Sequence, residues 1–416
     1  MLKTAAFRGG QLSSRVFAVE FDPRARPLCF ALSDSPRELR GAHRQLFGDD
    51  GKLFSLHVHG GGRVEKARTH AEIKRELSVS LARHCDVYEA SSFVPDVKNS
   101  FVKGFFIRDR STAAVSEDIL KTLQRSESVC VFSYEREGQY CWLEPWSPVS
   151  HVQEPARHYI TPAAAAEHHP STLNISNSDV FYCMDEAYAV LQECSEIIPE
   201  SKEVLKLVDE QLETSRGDGF PVIVIEGLDA TGKTTLTESL RESLNAALLK
   251  SPPQCLAPFR QRFDSEPPLI RRAFYALGNY ITAAHIGKES LRAPVIVDRY
   301  WHSTAAYAIA TAVGGRVENL PKPGSELYRW PEDLLQPNLV LLLTVSPEER
   351  LRRLRDRGQD KTAEEAELEI NQLFRLKVEE AYKRIQNPAC IIVDASPSPR
   401  EVLQQVQHLI RDKCHL

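Results

Sequence analysis

The hydrophobic rhythm of the chain changes near its midpoint. From about residue 16 to residue 145, short apolar runs take turns with longer segments of helical period. "VFAVEF" (16–21), "LCFAL" (28–32), "LFSLHVH" (53–59), "FVKGFFI" (101–107), "SVCVFSY" (128–134) and "YCWLEPW" (140–146) predict strands. "PRELRGAHRQLF" (36–47), "KARTHAEIKRELSVSLARH" (66–84) and "SEDILKTLQR" (116–125) predict helices. The mixture predicts an α+β domain over 20–175 with a largely antiparallel or mixed sheet. "HVHGGGR" (57–63) places His57 and His59 on one side of a strand. A half-exposed strand ending in a loop accounts for that pattern better than a metal or anion site.

Residues 147–178 are rich in Pro, Ala, Asn and Ser and read as an irregular connection. Two helix-like stretches follow, so 176–218 reads as a helical linker. From 219 onward the pattern becomes strictly alternating. Strands are predicted at 221–226, 247–250, 293–298, 338–345 and 389–394, with long helical stretches between them. That order predicts a parallel, doubly wound sheet over 219–416. In such sheets ligands sit beyond the carboxyl ends of the strands.

The distinctive residues fall at those ends. "IEGLDATGKTT" (225–235) follows the first strand and opens a helix, fitting G-x-x-x-x-G-K-[ST] with Gly227, Gly232, Lys233 and Thr234. Glycines let backbone N–H groups turn toward phosphate oxygens, and the helix N-terminus adds partial positive charge. Lys233 would reach the outer phosphates, and the Thr234 hydroxyl would be a Mg²⁺ ligand. The pattern predicts a nucleoside triphosphate without specifying the reaction. "VIVDRYWHSTAAY" (295–307) ends its strand on Asp298, a carboxylate placed to organise Mg²⁺ through water, and Arg299 is suited to clamp a phosphate. "SPEERLRRLRDRGQDK" (346–361) brings Arg350, Arg352, Arg353, Arg355, Arg357 and Lys361 after another strand, as a lid that neutralises charge in phosphoryl transfer would.

Composition narrows the class. The chain has 416 residues, too many for one typical domain, and no apolar run approaches the length of a membrane span. A net charge of −5 gives no electrostatic footprint for nucleic acid. Nine Cys without a C-x-x-C pair suggest reduced, buried thiols rather than a disulfide framework. The first nineteen residues are basic and have no acid before Glu20, which predicts an organellar transit segment over 1–19 and a mitochondrial location.

"GLDATGKTT", "DRYWHSTAAY", "TVSPEERLRRLRDRG" and "VDAS" occur in the order and spacing of the thymidylate kinase family, which the chain resembles over about 220–416. "KSPP", "RRAFY", "LGNYI" and "DRYWHST" resemble the UMP/CMP-phosphorylating branch, in which such a module follows a long N-terminal extension. The resemblance implies a P-loop kinase fold, ATP and Mg²⁺ as cofactors, small nucleotides as partners, and a homodimer. It implies that Gly227, Leu228, Asp229, Ala230, Thr231, Gly232, Lys233, Thr234 and Thr235 hold the donor phosphates. Asp394, Ala395 and Ser396 would line the adenine pocket. Asp229 would contact the acceptor sugar, Arg299 its phosphate, and Phe274 would stack on the pyrimidine. Tyr307 would lie beside the sugar, with Ser303 and Asn279 completing the acceptor site. Lys233, Arg299, Arg355 and Arg357 would be catalytic, with Thr234 and Asp298 on the metal.

Three departures from the family bear on substrate and chemistry. Gly278 replaces the Arg that bonds thymine, followed by Asn279, whose amide can donate and accept. The family's "FPxR" phosphate-binding Arg is missing from "KSPPQ", leaving Arg260, Arg271 or Arg272 as substitutes. Ala230 stands where some members place a catalytic Arg, which shifts that burden to the lid. The expected activity is transfer of the ATP γ-phosphoryl to CMP, UMP, dCMP or dUMP. The alternatives are a dTMP kinase, a nucleoside kinase, which would need a carboxylate to take the hydroxyl proton, and a nucleotide-gated binding module.

Overall fold

The computed structural model describes residues 12–22, 24–48, 51–81, 83–111, 115–124, 126, 128–146, 157–165, 167–173, 179–211, 219–357 and 371–416. The chain forms two compact units, Met1–Ser178 with Val313–Asn319, and Asp179–Ala312 with Leu320–Leu416.

The first unit is a closed antiparallel barrel. Its strands are β1 (Val16–Val19), β2 (Leu28–Ser33), β3 (Lys52–Val58), β4 (Cys85–Phe93), β5 (Val102–Asp109), β6 (Val129–Glu137), β7 (Tyr140–Pro145) and β8 (His158–Pro162). They pair in the order β1-β2-β8-β7-β6-β3-β5-β4, and β4 closes on β1. Phe17, Phe30, Phe106, Phe132 and Tyr134 fill one core together with Leu46 and Phe47 of helix α1 (Gly41–Phe47). A second core joins Phe54, Leu56, Ile107 and Val131 to Ile73 and Leu77 of α2 (Arg63–Ser80) and Leu120 of α3 (Val115–Gln124). Burial on both faces explains why β3 reads as an almost continuous apolar run.

Several expectations change here. β4 and β8 were not predicted, because β4 carries Asp86, Glu89, Ser91 and Ser92, and β8 lies in the stretch read as irregular. The helix expected over 36–47 is confined to Gly41–Phe47, since Gly41 has φ +55° and breaks the helical path. Residues 12–19, within the expected transit segment, belong to the barrel unit. Phe17, Ala18 and Val19 are buried in the barrel, and buried Arg15 donates to the carbonyls of Ser92 and Ser100 at 3.0 and 2.6 Å. Residues 1–11 of the expected transit segment lie outside the described residues. His57 is buried between the rings of Phe17 and Phe132, at 5.5 and 5.9 Å, and burial pulls it down to about 3, so it is neutral. Among the described residues no three His, Cys, Asp or Glu gather to hold a metal.

The second unit is a five-stranded parallel sheet of β9 (Val222–Gly227), β10 (Ala247–Lys250), β11 (Val295–Asp298), β12 (Leu339–Thr344) and β13 (Cys390–Asp394), in the order β10-β11-β9-β12-β13. Its longer helices are α4 (Met184–Cys194), α5 (Glu200–Gln211), α6 (Lys233–Leu244), α7 (Pro268–Glu289), α8 (Trp301–Ala312), α9 (Pro347–Arg357), α10 (Gln372–Arg384) and α11 (Pro399–Cys414). β9 lies at the centre because its "VIVIEG" is buried at every position. Ile223, Ile225, Ile296 and Leu341 pack with Leu236 and Leu240 of α6 and Val406 and Ile410 of α11. The predicted strands match β9–β13 within two residues at each end. α4 and α5, read from sequence as a linker, fall within this unit and pack on α7. No helix among the described residues is long and apolar enough to cross a membrane.

Phe30→Ala is expected to lower the stability of the full chain by about 3–5 kcal/mol in chemical unfolding, as deletion of a buried aromatic does. Tyr140, 43% exposed on β7, should lose well under 1 kcal/mol on the same change. Equal effects would contradict the barrel core described.

Candidate active site

The carboxyl ends of β9 and β11 open into a cleft of about 790 Å³, a size suited to small-molecule ligands. One wall is the P-loop. At Gly227, φ +142°, a Cβ would lie 2.6 Å from the carbonyl of Leu343, so only glycine lets the chain leave β9 against β12. Gly232, φ +93°, caps α6, whose first turn lines the cleft through Lys233, Thr234 and Thr235. The side chain of Lys233 folds back, and its Nζ donates to the Leu228 carbonyl at 2.8 Å. Burial and neighbouring Arg299 pull its ammonium down to about 8, against the attraction of Asp229, Asp298 and Glu226.

The opposite wall starts at Arg299, which has φ +66°, a costly conformation for a residue with a Cβ. Its N–H bonds the Ile225 carbonyl at 3.0 Å. Its Nη2 donates to Asp229 Oδ1 at 2.7 Å and its Nη1 to Ser303 Oγ at 3.2 Å. Burial opposes charge on both partners. Even so, Arg299 and Lys233 hold Asp229 down at about 2, and Asp229 holds Arg299 well above its ordinary value. Asp298 is buried, and its Oδ1 has no hydrogen-bond partner among the described residues.

Glu226 was not singled out from sequence. It is fully buried at the end of β9 and accepts from the Tyr300 N–H at 2.9 Å and from Ser303 Oγ at 2.5 Å. Burial raises it to about 7, opposed by the Ser303 hydrogen bond and Arg299. The signal available in sequence was a carboxylate inside an otherwise apolar strand.

The acceptor-side wall differs by one helical position from expectation. Phe274 is buried and stacks on Phe263, with ring centroids 4.6 Å apart, and does not line the cleft. The cleft face of α7 carries Arg271, Tyr275 and Asn279, spaced i, i+4, i+8, together with Arg272. Tyr275 donates to Asp264 Oδ1 at 2.7 Å, and Arg260 lies over its ring. Gly278 does not open room for a base: a Cβ there would lie 3.0 Å from Pro252 Cβ. Ser303, Thr304 and Tyr307 of α8 line the cleft, with Arg272 over the Tyr307 ring at 5.8 Å.

The arginine-rich helix also turns a different set inward. Arg350 is buried, and its Nε donates to the Asp229 carbonyl at 3.2 Å. Arg353 donates to the Ala395 carbonyl at 2.8 Å and pairs with Glu349 at 2.7 Å. Arg352 and Arg353 line the cleft, whereas Arg355 is exposed and does not. The side chain of Arg357, like Lys361, lies outside the described residues. Ala395 and Ser396 line the cleft with Pro397, Ser398 and Val402. Asp394 instead accepts from the Ser396 N–H at 2.9 Å and faces solvent.

The thymidylate kinase family profile matches residues 225–406. The chain is 45% identical over 364 residues to human "UMP-CMP kinase 2, mitochondrial", covering 85% of this chain and 80% of that protein. It is 28% identical over 206 residues to a thymidylate kinase of Xanthomonas oryzae, covering 46% of this chain and 83% of that one. Among solved structures it resembles a thymidylate kinase of Candida albicans, at 24% identity and a TM-score of 0.39, over 48% of this chain and 94% of that one.

Glu226 generates a pH signature. Its folded-state value, about 7, lies above its ordinary 4.5, so its contribution to stability is present below about 4.5 and is lost as pH rises toward 7. Wild type should therefore lose thermal stability relative to Glu226→Gln across that window. Parallel stability profiles from pH 4.5 to 7.5 would show that folding does not raise Glu226 above its ordinary value.

Proposed function

The chain belongs to the thymidylate kinase family and is an ATP-dependent nucleoside monophosphate kinase, and from that premise we propose that its acceptors are pyrimidine monophosphates: CMP, UMP and their deoxy forms. The observation that carries this reading is one cleft with two chemically distinct halves. Lys233, Arg299, Arg352 and Arg353 supply cations around the P-loop, and Tyr275, Asn279, Ser251 and Thr304 supply a ring face and short polar groups beside it.

On this reading, ATP lays its phosphates along Gly227–Thr235, and its adenine reaches Ala395, Ser396 and Pro397. Arg299, locked by Asp229, holds the acceptor phosphate, with Arg271 and Arg272 of α7 as its further cations. Tyr275 takes the stacking role that sequence gave to Phe274, and Ser303 and Tyr307 border the sugar. The acceptor oxygen is already anionic, so no general base is needed. Catalysis is positioning plus neutralisation of charge on the transferring group. Arg353 and Arg350 stand closer to this task than Arg355. A nucleoside kinase would need a free carboxylate at a substrate hydroxyl, but of those lining the cleft Asp229 is paired with Arg299, Asp264 with Tyr275 and Glu349 with Arg353, and Asp298 is assigned to the metal.

The site fits Mg²⁺. Thr234 lines the cleft, and Asp298 offers a buried oxygen without a hydrogen-bond partner among the described residues, both hard donors. Thr234 would hold the ion directly and Asp298 through water. When bound, the ion would neutralise charge on the β- and γ-phosphates. The proposal extends to mitochondrial localisation, supported by the human relative's designation and the basic N-terminal sequence. A homodimer rests on family resemblance alone.

ADP release measured with CMP, UMP, dTMP and AMP tests the acceptor class. Pyrimidine-dependent release is expected; release without any acceptor, or with AMP alone, would overturn it. Lys233→Ala should leave the fold intact and reduce kcat to below a tenth of wild type, a loss of at least about 1.4 kcal/mol of transition-state stabilisation. A smaller loss would remove Lys233 from this role.

A further inference from the structure

Three residues in the acceptor half of the cleft form one hydrogen-bonded unit. Ser251 follows β10, where its N–H donates to the Asp298 carbonyl at 3.1 Å. Asn279 stands on the cleft face of α7 and Thr304 on α8, and all three line the cleft. The Ser251 hydroxyl donates to Asn279 Oδ1 at 2.6 Å, and Asn279 Nδ2 donates to Thr304 Oγ1 at 3.0 Å. These lengths suit a hydroxyl donor on the first bond and an amide donor on the second. Sequence suggested that Asn279 reads the base directly, but its amide is engaged with two hydroxyls. Those hydroxyl residues keep slightly more exposure, 5% at Ser251 and 8% at Thr304 against 1% at Asn279. The amide therefore acts on a ligand through them.

The direction of each bond fixes what the cleft presents. Ser251 spends its proton on Asn279 and offers a ligand only lone pairs. Thr304 accepts from Asn279 and keeps its own proton for a ligand acceptor. If the amide turns by half a revolution about its terminal torsion, both bonds survive with reversed direction. Ser251 then offers a proton and Thr304 offers lone pairs. A hydroxyl serves equally as donor or acceptor, so neither state leaves a buried polar group unpaired. The unit has two self-consistent states of opposite polarity.

The Watson–Crick edges of the two pyrimidines differ by the same reversal. Cytosine carries an amino donor at C4 and an acceptor at N3; uracil carries a carbonyl acceptor at C4 and an N3–H donor. We propose that Ser251, Asn279 and Thr304 form a two-state polarity switch through which one cleft accepts both CMP and UMP. Asn279 is the positioning residue whose amide orientation sets the directions of the two hydroxyls that meet the base. This inference rests on the pyrimidine acceptors proposed above.

Steady-state kcat/KM for CMP and for UMP, measured on Ser251→Ala and Thr304→Val, tests the switch. Each hydroxyl serves both bases with opposite polarity. Each variant should therefore lose roughly tenfold for both nucleotides, with the CMP-to-UMP ratio moving by less than about threefold. The KM for ATP should stay at its wild-type value. Thr304→Ser, which restores the hydroxyl without the methyl, should recover most of what Thr304→Val loses. A loss confined to one nucleotide would mean a fixed polarity and overturn the switch, as would no loss for either or no recovery in Thr304→Ser. Wild type that turns over neither CMP nor UMP would overturn the acceptor assignment itself. Pyrimidine turnover in wild type with unaltered variants would overturn the switch alone.

Discussion

Burial of opposite charges at the ends of two neighbouring strands is the constraint around which the second unit is built. β9 and β11 deliver Glu226 and Asp298 to the same edge of the sheet, and the loops after them add Asp229, Lys233 and Arg299. Isolated buried charges are very costly, so each must find a partner or neutralise. Asp229 and Arg299 pair directly, Glu226 is pushed toward its neutral form, and Lys233 is pulled toward its own. The same pair holds Arg299 in its left-handed backbone conformation, and the N–H bond to Ile225 anchors it to β9.

This arrangement suits a polyanion. Asp229 accounts for much of the charge on Arg299, while the Lys233 ammonium donates to a neutral carbonyl. A triphosphate entering along α6 would bring the negative charge that raises the Lys233 ammonium back toward its ordinary value. Cations near the P-loop come from three separate segments: the P-loop itself, the turn before α8, and α9. None is placed by another's local sequence. The apolar sheet core of Ile223, Ile225, Ile296 and Leu341 gives them a rigid common base, and rigidity is what electrostatic catalysis requires of its dipoles and charges.

Legibility in the sequence followed the range of the interactions involved. Parallel strands with continuous apolar runs announce themselves locally, so β9–β13 and the P-loop were readable, β9, β11 and β12 being buried along nearly their whole length. The barrel was readable only in part, because β4 is stabilised by pairing with β5 and β1 rather than by an apolar pattern of its own. In the site, Asp229, Lys233, Arg299 and Ser303 were identified by motif and line one cleft. Phe274 and Tyr275 are adjacent, and nothing in a run of apolar residues tells which faces the cleft. The decision falls to Phe263, a non-local partner that captures Phe274 for the core. Likewise the sequence put Arg355 foremost, with Arg357, in a helix crowded with arginines, whereas Arg350 and Arg353 turn inward. Helical phase relative to the P-loop separates them, and that phase is a tertiary fact. Asn279 carried the right chemistry, but its partners Ser251 and Thr304 come from other elements and left no mark in its own neighbourhood.

The central claim is that one cleft holds a nucleoside triphosphate and a pyrimidine monophosphate end to end. A bisubstrate ligand, adenosine joined to uridine through a five-phosphate bridge, addresses it directly by titration calorimetry on the full chain. The account predicts one site per chain, binding at least a hundredfold tighter than ATP or UMP alone, with displacement by either nucleotide. Affinity no greater than that of ATP, or displacement by ATP but never by UMP, would contradict it.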